Sequence, residues 1–319
     1  MTDRSDNNKL FKILAIDGGG IRGVYAAHLL ARMEAEWSIK WVDHFDLMAG
    51  TSTGSIIAAG LACGFPAKTI LALYHEHSRE IFRRLPFRYF GLFASRFSNR
   101  GLSTALNTLF GDRRLGDFSV PLIIPTTDIG NGCVHVMKTA YDPRFVRDKT
   151  VLVRDAVMAS CSAPTFFDPY RVKNYALADG GLWANNPALV AAIDAKRRMG
   201  ASLNQLRILS MGTGNSRQFY PLKSSPSDRL FGWGFVTRWK RNRFINMLLN
   251  LQAETASNML GLLLDKEQIL RLTFESDHVL PLDDVRDVPD LQSRADRDFT
   301  HNAERIKAFL DENKEVCKC

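Results

Sequence analysis

The chain has no apolar run long enough to span a membrane. Its longest hydrophobic stretches are interrupted by charged or polar residues well short of the ~20 residues that a helical span requires. The N-terminal stretch MTDRSDNNKLFK lacks the apolar core of a signal peptide, so no secretory route is expected. Cysteine is sparse: Cys63, Cys133, Cys161, Cys317 and Cys319 form an odd, scattered set unlike a disulfide framework. Cys317-Lys318-Cys319 reads as a frayed tail rather than a metal site. A reducing cytoplasm is the expected compartment. There is no internal repeat and no low-complexity segment.

What remains is an ordinary globular composition: 319 residues, 45% of them hydrophobic, enough for one large α/β domain or two modest ones. Lys and Arg outnumber Asp and Glu by 42 to 34, giving a net charge of +8. That excess favours anionic partners such as lipid headgroups, nucleotides or nucleic acid, without choosing among them.

Phe11 to Ile16 reads as a buried strand, Val24 to Trp37 as a helix, Phe45 to Ala49 as a second strand and Ser55 to Cys63 as a small-residue helix. This strand–turn–helix unit, used twice, is an α/β pattern. Further strands are expected at Val120–Thr126, Cys133–Thr139 and Leu206–Met211, with Tyr175 to Ala178 as a run ending at Asp179. Helices are expected at Thr150–Ala159, at Ala188–Met199 (opened by Pro187), at Phe244–Leu264 and at His301–Lys314. Composition changes after Gly214, so the catalytic core is expected to occupy residues 1–215, and residues 216–319 to form a helical C-terminal extension packed on it.

Three motifs carry the chemistry. Gly18-Gly19-Gly20-Ile21-Arg22-Gly23 follows a strand and opens a helix, where glycine lets the backbone approach an anion at a helix N-terminus. The same pattern suits a dinucleotide-binding turn, but that reading wants an acidic residue at the end of the next strand. Glu34 and Glu36 fall on the helix instead, and Asp43 precedes the strand. Gly50-Thr51-Ser52-Thr53-Gly54 is a G-x-S-x-G elbow, whose glycines leave room for a turn that exposes the serine hydroxyl. Such a serine needs a base. His278 and His301 lie in a polar region with no motif around them, whereas Asp179-Gly180-Gly181 ends a strand, where a partly desolvated carboxylate could take the proton directly.

The order and spacing of these motifs, with Ala159-Ser160 and Ala163-Pro164 between them, resemble the patatin-like phospholipases over roughly residues 11–215. The resemblance implies a three-layer α/β/α fold with a mostly parallel central sheet, and a Ser–Asp dyad without histidine. Ser52 would be the nucleophile and Asp179 the general base. Gly18, Gly19, Gly20 and Arg22 would form the oxyanion turn, and Gly23, Gly50, Gly54, Gly180 and Gly181 would be the motif glycines. The reaction implied is hydrolysis of membrane phospholipid esters through an acyl-enzyme, with no metal and no cofactor.

From Arg217 to Arg243 seven basic residues alternate with aromatics and a single acid, Asp228. Three readings stand side by side: a solvated face with its aromatics in the core, a membrane-docking surface, and a site for a phosphorylated small molecule. Arg238, Trp239, Lys240, Arg241 and Arg243 are the candidate contacts to ligand or membrane. The overall layout is also similar to bacterial patatin-like effectors of cyclic-oligonucleotide antiphage signalling. That similarity implies a cyclic di- or trinucleotide activator, peripheral contact at the inner face of the membrane, and a homo-oligomer on activation.

Overall fold

The computed structural model describes residues 9–84, 94–216, 241–278 and 280–312. The strands are β1 (Phe11–Ile16), β2 (Leu47–Gly50), β3 (Leu122–Asp128), β4 (Cys133–Lys138), β5 (Tyr170–Val172), β6 (Tyr175–Asp179), β7 (Leu206–Met211), β8 (Asn215–Ser216), β9 (Ile269–Leu272) and β10 (Glu275–Ser276). The helices are α1 (Gly23–Trp37), α2 (Trp41–His44), α3 (Thr53–Ala62), α4 (Ala67–Ile81), α5 (Asn99–Phe110), α6 (Val153–Ser160), α7 (Gly181–Ala184), α8 (Ala188–Arg198), α9 (Arg241–Leu263) and α10 (Val288–Asp311). Eight strands form one sheet in the order β5-β6-β3-β2-β1-β7-β9, with β4 beside β3, while β8 and β10 pair separately.

Alternation along β1 builds the three layers. Leu14 and Ile16 face a large core packed by α1, α3, α4, α5, α6 and α10. Ile13 and Ala15 face a smaller core closed by Ala188, Ala191, Ala192 and Ala195 of α8 and by Leu260 of α9. A strand buried on both faces reads as a continuous apolar run, which is what Ile13 to Ile16 shows. Alanines on α8 let that helix lie close to the sheet.

Strands β9, β7, β1, β2 and β3 run parallel, so their carboxyl ends open on one side. Strand β4 pairs with β3 along Ile123 to Asp128 and takes one edge. The other edge is shared: β2 pairs parallel with Leu122 and Ile123, and β6 pairs antiparallel with Thr126 to Asp128. The carboxyl ends of β2 and β6 therefore point at each other across a gap at Pro125. Ile129 N–H donates to Ala176 O across this edge, so by the two-residue alternation position 125 faces the gap too. Proline has no N–H to leave unpaired there, and its carbonyl accepts from Ser160 Oγ at 2.7 Å.

The expected core boundary near residue 215 does not hold. Strand β9 lies beyond it yet pairs with β7 from Ile208 to Met211, and α10 packs on α1. The last third of the chain completes the sheet. The C-terminal helix likewise begins at Val288, well before the expected His301, because Leu291, Ala295 and Phe299 carry the buried stripe of Ile306, Phe309 and Leu310 backwards at helical spacing. The charged residues between them had hidden that stripe. Other boundaries move by about one helical turn or less. Most of Arg217–Arg243, including Arg238, Trp239 and Lys240, lies outside the described residues, as do the side chains of Arg241 and Arg243 and the expected helix end at Lys314.

One charge pair ties the late chain to the early one. Asp17, at the end of β1, is buried and binds Arg271 of β9 through both carboxylate oxygens, at 2.9 and 2.5 Å. Arg271 also donates to Ser210 Oγ at 2.7 Å. Burial works against the Arg271 charge, but Asp17 outweighs it and the guanidinium is held more firmly protonated than usual. Removing one partner of a buried pair strands the other charge, at a cost of roughly 3–5 kcal/mol. Arg271→Gln is expected to lower the unfolding free energy by about 3 kcal/mol in urea titration. Arg286→Gln, at an exposed pair with Asp284, should leave the midpoint in place. Equal losses in the two variants would show that Asp17 does not depend on Arg271.

Candidate active site

Ser52 follows β2 and caps the N-terminus of α3 with φ 52° and ψ −126°, a left-handed conformation that side chains rarely adopt. The turn survives because its surroundings over-determine it. Gly54 lies so close to β1 that a Cβ would stand 2.2 Å from Ile16 O, and Thr51 Oγ1 donates to Ala184 O at 2.6 Å. Ser52 N–H donates to Ser160 Oγ at 2.9 Å, which in turn donates to Pro125 O. The chain Ser52–Ser160–Pro125 thus fastens the elbow to the gap in the sheet edge.

Asp179 reaches the same gap from β6. Its carboxylate is buried, accepts Gly181 N–H at 2.7 Å and interacts with the Ser52 hydroxyl. Burial raises its pKa from 3.8 to about 6, and the bonds from Gly181 and Ser52 oppose the shift. No histidine among the described residues lines the cavity beside this pair; His278 and His301 are both exposed.

The glycine turn closes the third side. Gly20 has φ 58°, and a Cβ there would stand 2.2 Å from Leu282 O, so only glycine fits. The turn's three amides differ in their use. Gly18 N–H is committed to Asn185 O at 3.0 Å, so Gly18 is a support for the turn rather than a donor to an oxyanion. Among the described residues, Gly19 and Gly20 N–H have no acceptor, and both residues line the cavity. Arg22 does not line it. Its buried side chain turns back, and Nε donates to Gly19 O at 3.3 Å. Burial lowers the Arg22 pKa to about 10, with Asp17 counteracting the fall. A planar trans peptide points its N–H opposite to its C=O, so a donor on Gly19 O directs Gly20 N–H away from Arg22. Arg22 acts through the backbone rather than on a ligand.

These groups meet at a cavity of about 250 Å³ whose other walls are apolar, among them Ile56, Leu73, Phe82, Phe166 and Leu249. The N-terminus of α3, at Ser52 and Thr53, borders it, a favourable place for developing negative charge. Buried Cys161 also borders it, and burial followed by the Asp179 charge pushes its thiol pKa well up, so it is no rival nucleophile. Asn185, Thr213, Arg271 and Leu282 were not anticipated. For Thr213 a signal existed: Gly212-Thr213-Gly214 follows a strand at the sheet end that carries the other two turns. The rival dinucleotide reading finds no acid where it needs one, since β2 ends on Gly50 and runs into the serine elbow.

Comparison with known proteins bears on the family. The family model described as patatin-like phospholipase matches residues 14–192. A Pseudomonas aeruginosa protein named cGAMP-activated phospholipase is 34% identical over 207 residues, which is 64% of this chain and 62% of that protein, somewhat under two thirds of its length. A Vibrio cholerae protein of the same name is 31% identical over 72% of this chain and 70% of its own. An Escherichia coli protein named cUMP-AMP-activated phospholipase is 30% identical over 84% of this chain and 83% of its own. VipD from Legionella pneumophila shares the fold, with a TM-score of 0.54 at 12% identity over 96% of this chain and 67% of that one. A serine elbow, a strand-end aspartate and a glycine turn in one apolar cleft, matched by a family model over more than half the chain, make this chain a member of the patatin-like phospholipase family.

Proposed function

We propose that the chain is a serine lipid acyl hydrolase that cleaves fatty-acyl esters of membrane phospholipids through a Ser52–Asp179 dyad. One observation carries the reading: the Ser52 hydroxyl lies beside a buried carboxylate and two unengaged backbone donors, at the wall of an apolar cleft. Asp179 takes the Ser52 proton as Oγ attacks the ester carbonyl, and the Gly19 and Gly20 N–H groups receive the charge forming on the carbonyl oxygen. The C–O bond to the alcohol breaks, Asp179 gives its proton to the leaving oxygen, and the acyl group stays on Ser52. A water molecule, deprotonated by Asp179, then releases the fatty acid. The apolar walls suit an acyl chain. A base with a pKa near 6 is ionised at neutral pH yet more basic than an ordinary aspartate, which favours this role.

A second layer of the proposal is that a cyclic di- or trinucleotide switches the enzyme on in antiphage defence; the bacterial relatives named as cGAMP- and cUMP-AMP-activated phospholipases support the nucleotide control. Action would be at the inner face of the membrane, with assembly on activation. A phospholipase loose in its own cytoplasm endangers its host, so control is physically sensible. The test is fatty-acid release from phosphatidylethanolamine–phosphatidylglycerol vesicles, with and without a panel of cyclic di- and trinucleotides. Release with one nucleotide alone is expected. Equal release throughout would leave a constitutive lipase.

Ser52→Ala and Asp179→Asn are each expected to cut turnover by about 10⁴-fold or more with the fold intact. Turnover in folded Asp179→Asn would remove the carboxylate as base. In the wild type, kcat/KM should rise about tenfold per pH unit up to a pH near 6 and then level off.

The same residue predicts a stability effect of opposite sense. The folded-state pKa lies above that of an unfolded aspartate, so the folded protein holds its proton between pH 3.8 and about 6. The stability this confers is lost as pH rises through that window. Asp179→Asn should therefore stabilise the fold at pH 8, by on the order of 1–3 kcal/mol, and have no effect near pH 4. Urea denaturation at the two pH values tests this, and a gain of equal size at both would contradict it.

A further inference from the structure

We propose that Thr213 is a positioning residue for the oxyanion hole: by holding the Gly18 carbonyl, its hydroxyl aims Gly19 N–H at the oxygen of the tetrahedral intermediate. The proposal rests on the acyl-hydrolase reading above. Thr213 is buried on the loop after β7, and its Oγ1 donates to Gly18 O at 2.7 Å, across 195 positions of sequence. Gly18 O and Gly19 N–H belong to one peptide plane and point in opposite directions. A donor behind the carbonyl therefore fixes where the N–H points. The next plane is built in the same way, with Arg22 Nε on Gly19 O behind Gly20 N–H. Two adjacent peptides with engaged carbonyls, and with amides that have no acceptor among the described residues, make a pre-aimed pair of donors.

The post that carries Thr213 is itself fixed. Gly212 N–H donates to Leu272 O at 2.7 Å and Asn215 N–H to Phe274 O at 2.8 Å, clamping the loop on both sides of Thr213 against β9 and the residues after it. The side chain lies so close to the turn that a Cβ on Gly19 would stand 2.2 Å from Thr213 Oγ1. Without the hydroxyl, Gly18 O loses its donor inside the protein, and a glycine–glycine peptide, which has little steric resistance to rotation, is free to turn its carbonyl toward the site. The carbonyl would then repel the charge that the amide should receive.

The test uses the full chain with a p-nitrophenyl ester, under conditions where the wild type turns over, and with kcat counted per serine titratable by a fluorophosphonate. Thr213→Val keeps the side-chain shape and removes the hydroxyl, Thr213→Ala removes it without crowding, and Thr213→Ser restores it. Val and Ala are expected to lower kcat about 10–100-fold with KM within about twofold, and Ser to stay within about threefold of wild type. A merely structural role would instead lower the unfolding midpoint and leave kcat per titrated site unchanged. Wild-type kcat in whichever of Val and Ala folds, or a loss in Ser as large as theirs, overturns the assignment. Ser52→Ala runs alongside: if it retains turnover, the hydrolase reading fails, whatever Thr213 does.

Discussion

The site depends on one sheet edge that two strands must share. Because β4 covers the far edge of β3 from Ile123 to Asp128, β2 and β6 are confined to the near edge and meet end to end. Chain leaving both ends has to turn out of the sheet at the same place, and each turn carries a functional side chain at its first opportunity. Ser52 comes two residues after β2 ends, and Asp179 is the last residue of β6. Pro125 marks the junction because any other residue would leave an N–H facing a gap with no strand to receive it. Ser160 Oγ then serves two ends at once, giving its proton to Pro125 O and accepting Ser52 N–H. The elbow is held by the same defect in the sheet that makes room for it.

The second demand is electrostatic. A site that stabilises a transient anion in an apolar cleft must hold donors in place without satisfying them beforehand. Side-chain donors would relax onto nearby carbonyls, whereas backbone N–H groups are constrained by the planes they belong to. Here the carbonyl half of each plane is engaged from behind and, among the described residues, the amide half is left unused. Asp17 lies under this turn between two guanidiniums, Arg22 within it and Arg271 from β9. Two positive charges against one negative leave the region beneath the turn cationic, which favours negative charge in front of it.

Much of this was legible in the sequence, but unevenly. The three motifs could be read because each compresses its constraint into a few adjacent residues: glycines where backbone must pass close, and a serine or an aspartate at a strand end. Strand β1 was legible from its apolar run, helix α1 from its spacing and helix α8 from Pro187 at a first-turn position. The partners of the motifs were not, because Thr213, Asn185, Arg271 and Leu282 are joined to the turn only by tertiary contacts, some across nearly the length of the chain. An arginine in a short strand looks like any surface arginine until its carboxylate is known. The same locality misled the boundary at residue 215. Basic and aromatic composition changes there, but Ile269 to Leu272 is too short a strand to announce that it completes the sheet. Arg22 was placed correctly in the turn, but the sequence could not tell that its side chain acts from behind.

The arrangement is costly to the fold, and the cost falls at the proposed site. Ser52 holds a left-handed backbone that an L-residue adopts at a penalty of roughly 1–3 kcal/mol. Asp179 is buried with two hydrogen-bonding neighbours and no cation among those that shift its pKa. Among the described residues, two amides stand in the cleft without acceptors. A chain optimised for stability alone would relieve all three with ordinary substitutions. Buried Asp17 and Asp194, by contrast, each face a cation, Arg271 and Lys138. Positive φ recurs at Ser38, Thr165 and Lys173, but strain, an uncompensated carboxylate and idle donors meet where β2, β6 and the glycine turn converge. That coincidence is what the proposed roles require, since a nucleophile, a base and an oxyanion hole must each be held in the state that reacts rather than the state that rests.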